Sequence, residues 1–253
     1  MSGILSVCHL GPTPYREGLA LQEALVQRCA AARAGAPGAA QATDWLLFPD
    51  HPPVLTVGRG GSERSLRVSR ETLDRRGIEL FEVARGGDMT WHGPGQLVGY
   101  PIVDLERRGR DLHGYLRDLE EALIAALEGW GVPARRVAGR TGVWTGEEKI
   151  ASVGVAVRRW VGYHGFALNV APDLAAFDLI HPCGLQGVRM TSLAARLGPA
   201  APALAEARRT VASILARRLG HHGTREVPAA EVRNLAAGLD IVTAAHTTAS
   251  HAA

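Results

Sequence analysis

Length, composition and charge limit the kinds of protein that this chain can be. Its 253 residues are 46% hydrophobic and 21% charged, with a formal net charge of +3. These values are typical of a globular protein with a sizeable core, and no Pro/Ser-rich linker divides the chain, so we expect one main domain. No run of about 18 apolar residues occurs, and the N-terminus lacks a basic leader, so we expect a cytoplasmic protein without a membrane span.

The sequence lacks the common signatures of metal and nucleotide sites. Cys8, Cys29 and Cys183 form no Cys-x-x-Cys pair, and the histidines show no metal-ligand spacing, so we expect neither a disulfide framework nor a metal. There is no Gly-x-x-x-x-Gly-Lys-[Ser/Thr] loop and no Gly-x-Gly-x-x-Gly segment entering a helix. The sequence therefore predicts no cofactor and a substrate that arrives already activated.

Apolar spacing in the first third of the chain predicts three strands and two helices. Leu21, Leu25 and Cys29 share one helix face, so Cys29 is interpreted as a core residue. Both strands after the first helix are assigned to a central sheet. The predicted elements are strand Leu5–Leu10, helix Glu17–Arg33, strands Trp45–Phe48 and Val54–Val57, and a short helix from Ser69 to Gly77.

The rest of the chain alternates strands with helices. Asp111 is placed to cap the clearest amphipathic helix, which ends at Trp130. Hairpin-like spacing after Gly142 indicates antiparallel pairing, so the fold class is α/β (α+β), with a mixed, largely antiparallel sheet. The other predicted elements are strands Ile78–Ala84, Leu97–Leu105, Val143–Trp144, Lys149–Val157 and Tyr163–Val170, and helices Leu174–Phe177 and Ala201–Leu219.

A glycine-rich run, Arg85–Gln96, reads Arg-Gly-Gly-Asp-Met-Thr-Trp-His-Gly-Pro-Gly-Gln. Its glycines let backbone N–H groups approach a ligand closely and bring Arg85, Thr90 and His92 toward one small volume. A histidine beside a Pro-Gly turn is either a hydrogen-bonding loop residue or a base. The residues alone leave both readings of His92 open.

Cys183 and Lys149 are the candidates for the chemistry itself. Cys183 stands between proline and glycine, in a loop that presents a thiol; it is either a reactive thiolate or an inert buried thiol. Lys149 opens an apolar strand and is either a surface residue or an inward ammonium. An inward Lys149 beside the thiol would stabilise the thiolate and accept a proton from an attacking amine.

Four blocks of sequence carry a resemblance to a known family. They are Arg85–Gln96, Lys149–Gly154, His164–Asn169 and Pro182–Gly184, in this order within residues 44–193. Together they resemble the lipoyl(octanoyl) transferases, although Trp91 replaces a tyrosine and His181 an asparagine of the common pattern. The resemblance implies the fold of biotin protein ligases and lipoate ligases. It implies a catalytic domain over residues 1–220, with motifs in about 44–197, and a partly disordered extension over 221–253.

The resemblance also implies a reaction and its participants. Octanoyl-acyl carrier protein would load Cys183 as a thioester, and Lys149 would lower the pKa of the thiol and act as acid and base. The acceptors would be lysines of lipoyl domains in 2-oxoacid dehydrogenase complexes and of the glycine-cleavage carrier protein, without ATP or metal. The implied substrate contacts are Arg85, Gly86, Gly87, Asp88, Met89, Thr90, Trp91, His92, Ser152, Val153, Gly154, Gly165, Phe166 and Ala167.

Three other activities compete with this interpretation. One is an ATP-dependent lipoate- or biotin-ligase-type enzyme, and another is a hydrolase of acyl thioesters with Cys183 as nucleophile and His92 as base. The third is an inactive protein that only binds carrier proteins or lipoyl domains. We expect a monomer whose paired arginines are mostly solvated, with a minority docking an acidic protein, and we expect no binding to nucleic acid or membranes.

Overall fold

The computed structural model describes residues 3–35, 43–181 and 187–237. In chain order, the strands are β1 Ile4–Pro12, β2 Trp45–Asp50, β3 Val54–Val57, β4 Glu79–Glu82, β5 Met89–His92, β6 Gln96–Asp104, β7 Arg135–Val137, β8 Arg140–Thr145, β9 Glu148–Arg158, β10 Val161–Asn169, β11 Arg189–Met190 and β12 Gly223–Glu226. The helices are α1 Tyr15–Arg33, α2 Arg70–Arg75, α3 Leu112–Gly129, α4 Leu193–Leu197 and α5 Leu204–Arg218, and residues 229–237 are also helical. Short 3₁₀ helices span Glu63–Ser65, Leu105–Arg108, Leu174–Leu179 and Gly198–Ala200.

Most of these strands form one mixed sheet in the order β12-β1-β2-β6-β10-β9-β8-β7, and β11 pairs with β9 beside this path. The pairs β12–β1, β1–β2 and β11–β9 are parallel. The remaining neighbours are antiparallel. The predicted mixed, largely antiparallel sheet is therefore confirmed.

Helices cover both faces of the main sheet. On one face, α3 and α5 pack on a core that includes Leu119, Leu123 and Leu215. On the other face, α1 and the 229–237 helix share a core with β1 and β2. As predicted, the side chain of Asp111 caps α3, where it accepts a hydrogen bond of 2.7 Å from the backbone N–H of Gly114. The predicted flanking of the sheet by helices is confirmed.

The prediction that Val54–Val57 belongs to the central sheet is wrong. This segment is β3, the middle strand of a separate small sheet ordered β4-β3-β5. The glycine-rich run itself supplies β5, in which Thr90 lies opposite Thr56 of β3. An apolar run shows that a strand is buried but does not show which strand pairs with it. The small sheet matters because its strands lead into and out of residues 85–88.

The described part of the segment beyond residue 220 packs against the domain. Strand β12 lies parallel to β1 at the edge of the main sheet, with Leu5 opposite Thr224. Val227 and Val232 then enter the second core and are 6% and 0% exposed. The described residues after 220 thus contribute a strand and apolar contacts to this face.

A pair of truncations measures this contribution. Ending the chain after residue 220 removes β12 and two buried valines, so we expect the free energy of unfolding in urea to fall by about 3–6 kcal/mol. Ending the chain after residue 237 keeps every described contact and is the matched control, with no measurable change expected. Equal stability of both truncated chains would show that residues 221–237 add nothing to the domain.

Candidate active site

A cavity of about 220 Å³ brings together most of the residues implied by the sequence. Its wall is formed mainly by residues of β5, β6, β8, β9, β10 and α1 and by residues 85–88. Lys149 lines it, and so does every implied substrate-contact residue except Trp91. The remaining lining residues are Tyr15, Tyr100, Gly139, Arg140, Thr141, Trp144 and His164.

Residues 85–88 form a loop, here called the Arg85 loop. The guanidinium of Arg85 holds this loop in place through hydrogen bonds. Arg85 is 8% exposed, and its Nη1 donates to the carbonyl oxygens of Gly86 at 3.1 Å and Asp88 at 2.8 Å. Its Nη2 donates to the carbonyl and hydroxyl oxygens of Thr56 at 2.8 and 2.7 Å. These bonds fix the loop to the small sheet, so Arg85 shapes the cavity wall. Its contact with substrate stays a prediction.

A second glycine loop, residues 58–61, lies directly against the Arg85 loop and was missed by the sequence analysis. Gly58 donates its N–H to the carbonyl of Asp88 at 3.2 Å, and Gly60 donates to the carbonyl of Gly87 at 3.0 Å. A Cβ on Gly58 would lie 2.3 Å from the oxygen of Gly87, which is too close for any side chain. The spacing Gly-x-Gly-Gly directly after β3 was the available sequence signal.

Lys149 points into the protein. It is 2% exposed, and its Nζ lies 5.7 Å from the centroid of the Trp144 ring, within reach of a cation–π contact. The interpretation of Lys149 as a surface strand end is therefore wrong. Lys149 is also the single lysine of the sequence, among 28 lysine and arginine residues. That count was a sequence signal that motif reading did not use.

Cys183 falls within residues 182–186, which lie outside the described residues. The flanks of this segment are described. Before it, His181 donates its N–H to the carbonyl of Ser65 at 2.7 Å. After it, Met190 of β11 lies opposite Lys149 of β9. The chain that follows Cys183 is therefore hydrogen-bonded to the strand that carries Lys149.

The other two cysteines are poor nucleophiles. Cys8 is 0% exposed, and burial raises the pKa of its thiol to about 11. Cys29 is 3% exposed, and burial raises its pKa to about 12. A thiolate at neutral pH is disfavoured at both positions. The interpretation of Cys29 as a core residue is confirmed, and Cys183 is left as the candidate nucleophile among the three.

A chain of hydrogen bonds joins His92 to the strand of Lys149. The amide nitrogen of Gln96 donates to the Oδ1 of Asn169 at 3.0 Å, so its oxygen faces His92 and accepts from Nδ1 at 2.8 Å. Asn169 donates to the carbonyl of Thr191 at 2.9 Å, and the N–H of Thr191 donates to the carbonyl of Lys149 at 2.9 Å. This polarity places the proton of His92 on Nδ1 and the lone pair on Nε2.

Three buried histidines near the cavity are held neutral. Burial lowers the pKa of His92 to about 3. Burial also lowers the pKa of His164 to about 3 and that of His51 to about 4. His51 donates from Nδ1 to the carbonyl of Thr13 at 2.7 Å, and its Nε2 accepts from the hydroxyl of Tyr100 at 2.8 Å. The three histidines are therefore uncharged near neutral pH, with the charged Arg85 beside His92 and His164.

Trp91 is the implied contact residue that the structure places elsewhere. Strand β5 alternates, so that Thr90 and His92 line the cavity whereas the Trp91 ring enters the core of the small sheet. There it meets the ring of Phe177 edge-on, with 5.5 Å between centroids. The departure from the family pattern at this position therefore lies in the core of the small sheet and not in the cavity wall.

Tyr15, Tyr100 and Trp144 line the cavity but were not singled out from the sequence. Tyr100 belongs to β6, which is buried along its whole length, so no alternation of polar and apolar residues marks its cavity side. Tyr15 starts α1 and reaches the site only through the packing of that helix on the sheet. Such contacts arise from tertiary structure and leave no local pattern.

Residues 3–35, 43–181 and 187–237 contain neither a metal-binding cluster nor a helix able to span a membrane. Among these residues, no group of three or more His, Cys, Asp or Glu side chains gathers as a metal site. Within the same ranges, no helix has the length and apolar character to cross a membrane.

The neutral histidines predict a loss of stability in mild acid. Each has a folded-state pKa below its unfolded value of about 6.5, so the unfolded chain binds more protons as the pH falls below 6.5. For His51, His92 and His164 together, we expect the free energy of unfolding to fall by about 4 kcal/mol between about pH 7.5 and 5.5. Urea titrations at the two pH values measure the fall.

His164→Asn separates this effect from general acid sensitivity. Asparagine tolerates the positive φ of 57° at this position, and removal of one titrating ring should reduce the fall by about 1.4 kcal/mol. His113→Asn changes an exposed histidine and is the control, with the wild-type fall expected. Stability that stays constant over this pH range would contradict the neutral-histidine account.

Sequence relatives identify the family. The model of the lipoyl protein ligase A/B catalytic domain matches residues 14–216. An octanoyltransferase of Geobacter metallireducens is 51% identical over 203 residues, which cover 80% of this chain and 88% of the relative. An octanoyltransferase of Geobacter sulfurreducens is 50% identical over 209 residues, which cover 83% of this chain and 82% of the relative.

Solved structures share the fold at low sequence identity. A lipoate-protein ligase A bound with ATP matches with a TM-score of 0.69 and 20% identity over 94% of both chains. Ta0514 of T. acidophilum, a putative lipoate protein ligase with bound lipoic acid, matches with a TM-score of 0.66 and 19% identity over 94% of this chain and 95% of its own. The chain therefore belongs to the lipoyl protein ligase A/B catalytic domain family, is more similar in sequence to the two octanoyltransferases than to the two ligases of similar fold, and is an acyltransferase.

Proposed function

We propose that this protein transfers an octanoyl group from octanoyl-acyl carrier protein to the lysine amine of a lipoyl domain, through a thioester on Cys183. The observation that carries the proposal is the buried side chain of Lys149 at a cavity lined by residues of the Arg85–Gln96, Lys149–Gly154 and His164–Asn169 blocks. The octanoyltransferase name of relatives at about half identity supports the choice of acyl group.

The proposed reaction has two acyl exchanges. The Cys183 sulfur attacks the carbonyl carbon of the donor thioester, a new C–S bond forms, and the donor sulfur leaves with the bond electrons and takes a proton. The acceptor amine then attacks the Cys183 thioester, a C–N bond forms, and the C–S bond to Cys183 breaks. The amine proton passes through Lys149 to solvent or to the released thiolate.

The cavity suits a linear apolar chain. Gly154 lies opposite Gly165 and Val153 opposite Phe166, so β9 and β10 present small groups and apolar side chains along its length. Lys149 and Gly154 lie five positions apart on β9, about 16 Å along the strand, which exceeds the length of an extended octanoyl chain. Burying its methylene groups at ~0.8 kcal/mol each favours binding by several kcal/mol.

The histidines argue against the hydrolase alternative. A cysteine–histidine pair needs an imidazole that keeps the proton taken from the thiol, and burial lowers the pKa of His92 to about 3. Such an imidazole serves as a hydrogen-bond acceptor and is too weak as a base at neutral pH. Lys149 lines the same cavity and is the better candidate for proton transfer.

Nucleotide dependence separates transfer from ligation. The lipoate-protein ligase A of similar fold is bound with ATP, whereas a transferase uses an acyl group that is already a thioester. We therefore propose that no ATP is needed. The preactivated donor, an acidic carrier protein, would approach the basic surface of this chain, and the acceptor would be a lipoyl domain in the cytoplasm, with the enzyme acting as a monomer.

Intact mass after incubation with octanoyl-carrier protein, without ATP, tests the proposal. We expect an octanoyl adduct that hydroxylamine removes and that a lipoyl domain discharges. Cys183→Ser should give no labile adduct, and Lys149→Met should slow its formation by about 100-fold or more. Cys29→Ala alters a buried thiol and is the control, with a wild-type rate expected.

The single lysine makes the outcome unambiguous. Any octanoyl amide on the enzyme itself can form only at Lys149 or at the N-terminal amine, and such an amide resists hydroxylamine. An adduct of equal yield on Cys183→Ser, or transfer that requires ATP, would refute the thioester mechanism. Release of free octanoate without an acceptor would favour the hydrolase.

A further inference from the structure

We propose that Glu120 is a positioning residue that holds the backbone of Gly142 against Lys149 and so fixes the lysine side chain in the cavity. The inference rests on the proposed function for its kinetic consequence. Its structural consequence, the placement of the Lys149 side chain, can be measured separately.

Glu120 is a carboxylate on the buried side of α3. It is 8% exposed, between helix residues Leu119 and Leu123 that pack fully in the core. A carboxylate in such a place is costly unless it receives hydrogen bonds. Its Oε1 accepts a hydrogen bond of 2.8 Å from the backbone N–H of Gly142. The carboxylate therefore fixes one peptide of β8.

That peptide lies directly against the end of the lysine side chain. Gly142 has a φ of 118°, a conformation that other residues rarely adopt. A Cβ on Gly142 would lie 2.6 Å from the Cε and 3.1 Å from the Nζ of Lys149, and 2.5 Å from the carbonyl oxygen of Ala151. The backbone of Gly142 thus forms the wall on which the last two atoms of Lys149 rest.

These distances bound the separation of the two functional groups. The Oε1 of Glu120 lies 2.8 Å from the N of Gly142, and a Cβ there would lie about 2.5 Å from that N and 3.1 Å from the Nζ of Lys149. The direct distance between Oε1 and Nζ is therefore at most about 8.4 Å. The Trp144 ring bounds the amino group on another side, and Arg140 lies 5.7 Å from the same ring. Glu120 is thus an acidic group within this distance of the Lys149 amine.

The next residue of α3, Glu121, lies at the surface and forms ion pairs there. It pairs with Arg136 at 2.9 Å and Arg218 at 3.4 Å, and its side chain is 30% exposed. Such pairs contribute little and make no contact with the cavity. Glu121 is therefore the matched control for Glu120, because it has the same charge and lies on the same helix.

NMR of protein labelled with ¹³C at lysine Cε tests the placement directly, because a chain with one lysine gives one lysine Cε resonance. We expect Glu120→Ala to shift or broaden this resonance, since Gly142 loses its fixed position. Glu120→Gln keeps an oxygen that accepts from Gly142 and should stay close to wild type, as should Glu121→Gln. Gly142→Ala pushes on Cε with Glu120 intact and should also move the resonance.

Acylation kinetics then test whether the placement of Lys149 affects the reaction at Cys183. We expect Glu120→Ala to lower the rate of Cys183 octanoylation at saturating donor by about tenfold or more, with KM for the donor unchanged, and Glu120→Gln to stay within about threefold of wild type. Folding of each variant is checked by its thermal midpoint. If Glu120→Ala is unfolded, Gly142→Ala takes its place in the comparison.

Two results would overturn the proposal. One is a lysine resonance and an acylation rate in Glu120→Ala and Gly142→Ala that equal those of Glu121→Gln. The other is a loss in Glu120→Gln as large as that in Glu120→Ala, which would assign the effect to charge and not to the Gly142 contact. If wild type forms no adduct at all, the proposed function fails, and the resonance still decides the positioning claim.

Discussion

Burial of the Lys149 amino group requires that the residues packed around it hold a fixed arrangement. An amine that is 2% exposed loses its hydration, and the surrounding structure must replace that hydration with polar and aromatic contacts in a fixed geometry. The Trp144 ring, the backbone of Gly142 and the pairing of β9 with β11 together supply that geometry. The main sheet therefore presents the Lys149 amino group at a defined point of the cavity.

Another part of the cavity wall combines neutral histidines and a tyrosine with the hydrogen-bonded guanidinium of Arg85. His92, His164 and Tyr100 are buried, and the lowered pKa values of the two histidines keep them uncharged near pH 7. The Arg85 guanidinium is also occupied, because it donates to loop and strand oxygens of the small sheet. An apolar chain can lie in this region without displacing a hydrated charge, and we propose that proton transfer takes place at the Lys149 amine.

Short blocks of sequence predict residues that gather around one cavity, whereas the pairing of strands depends on tertiary contacts that leave no local pattern. The blocks at Arg85–His92 and Ser152–Gly154 meet at one cavity, and the cap at Asp111 starts α3 as expected. The pairing of β3 was predicted wrongly, because a buried apolar strand carries no information about its neighbour. Tyr100 was missed because β6 is buried along its whole length and shows no alternation, and Glu120 had no sequence signal for its contact with the distant Gly142.

The reactivity of Cys183 toward iodoacetamide as a function of pH tests the central claim, that a buried lysine controls the thiol. Alkylation of Cys183 is read by peptide mass, since Cys8 and Cys29 are buried. In wild type we expect alkylation to reach half its maximal rate well below the free-thiol value of about pH 8.5. In Lys149→Met we expect that midpoint to move up by one pH unit or more, about 1.4 kcal/mol or more of thiolate stabilisation. Identical pH profiles for the two proteins would contradict the account.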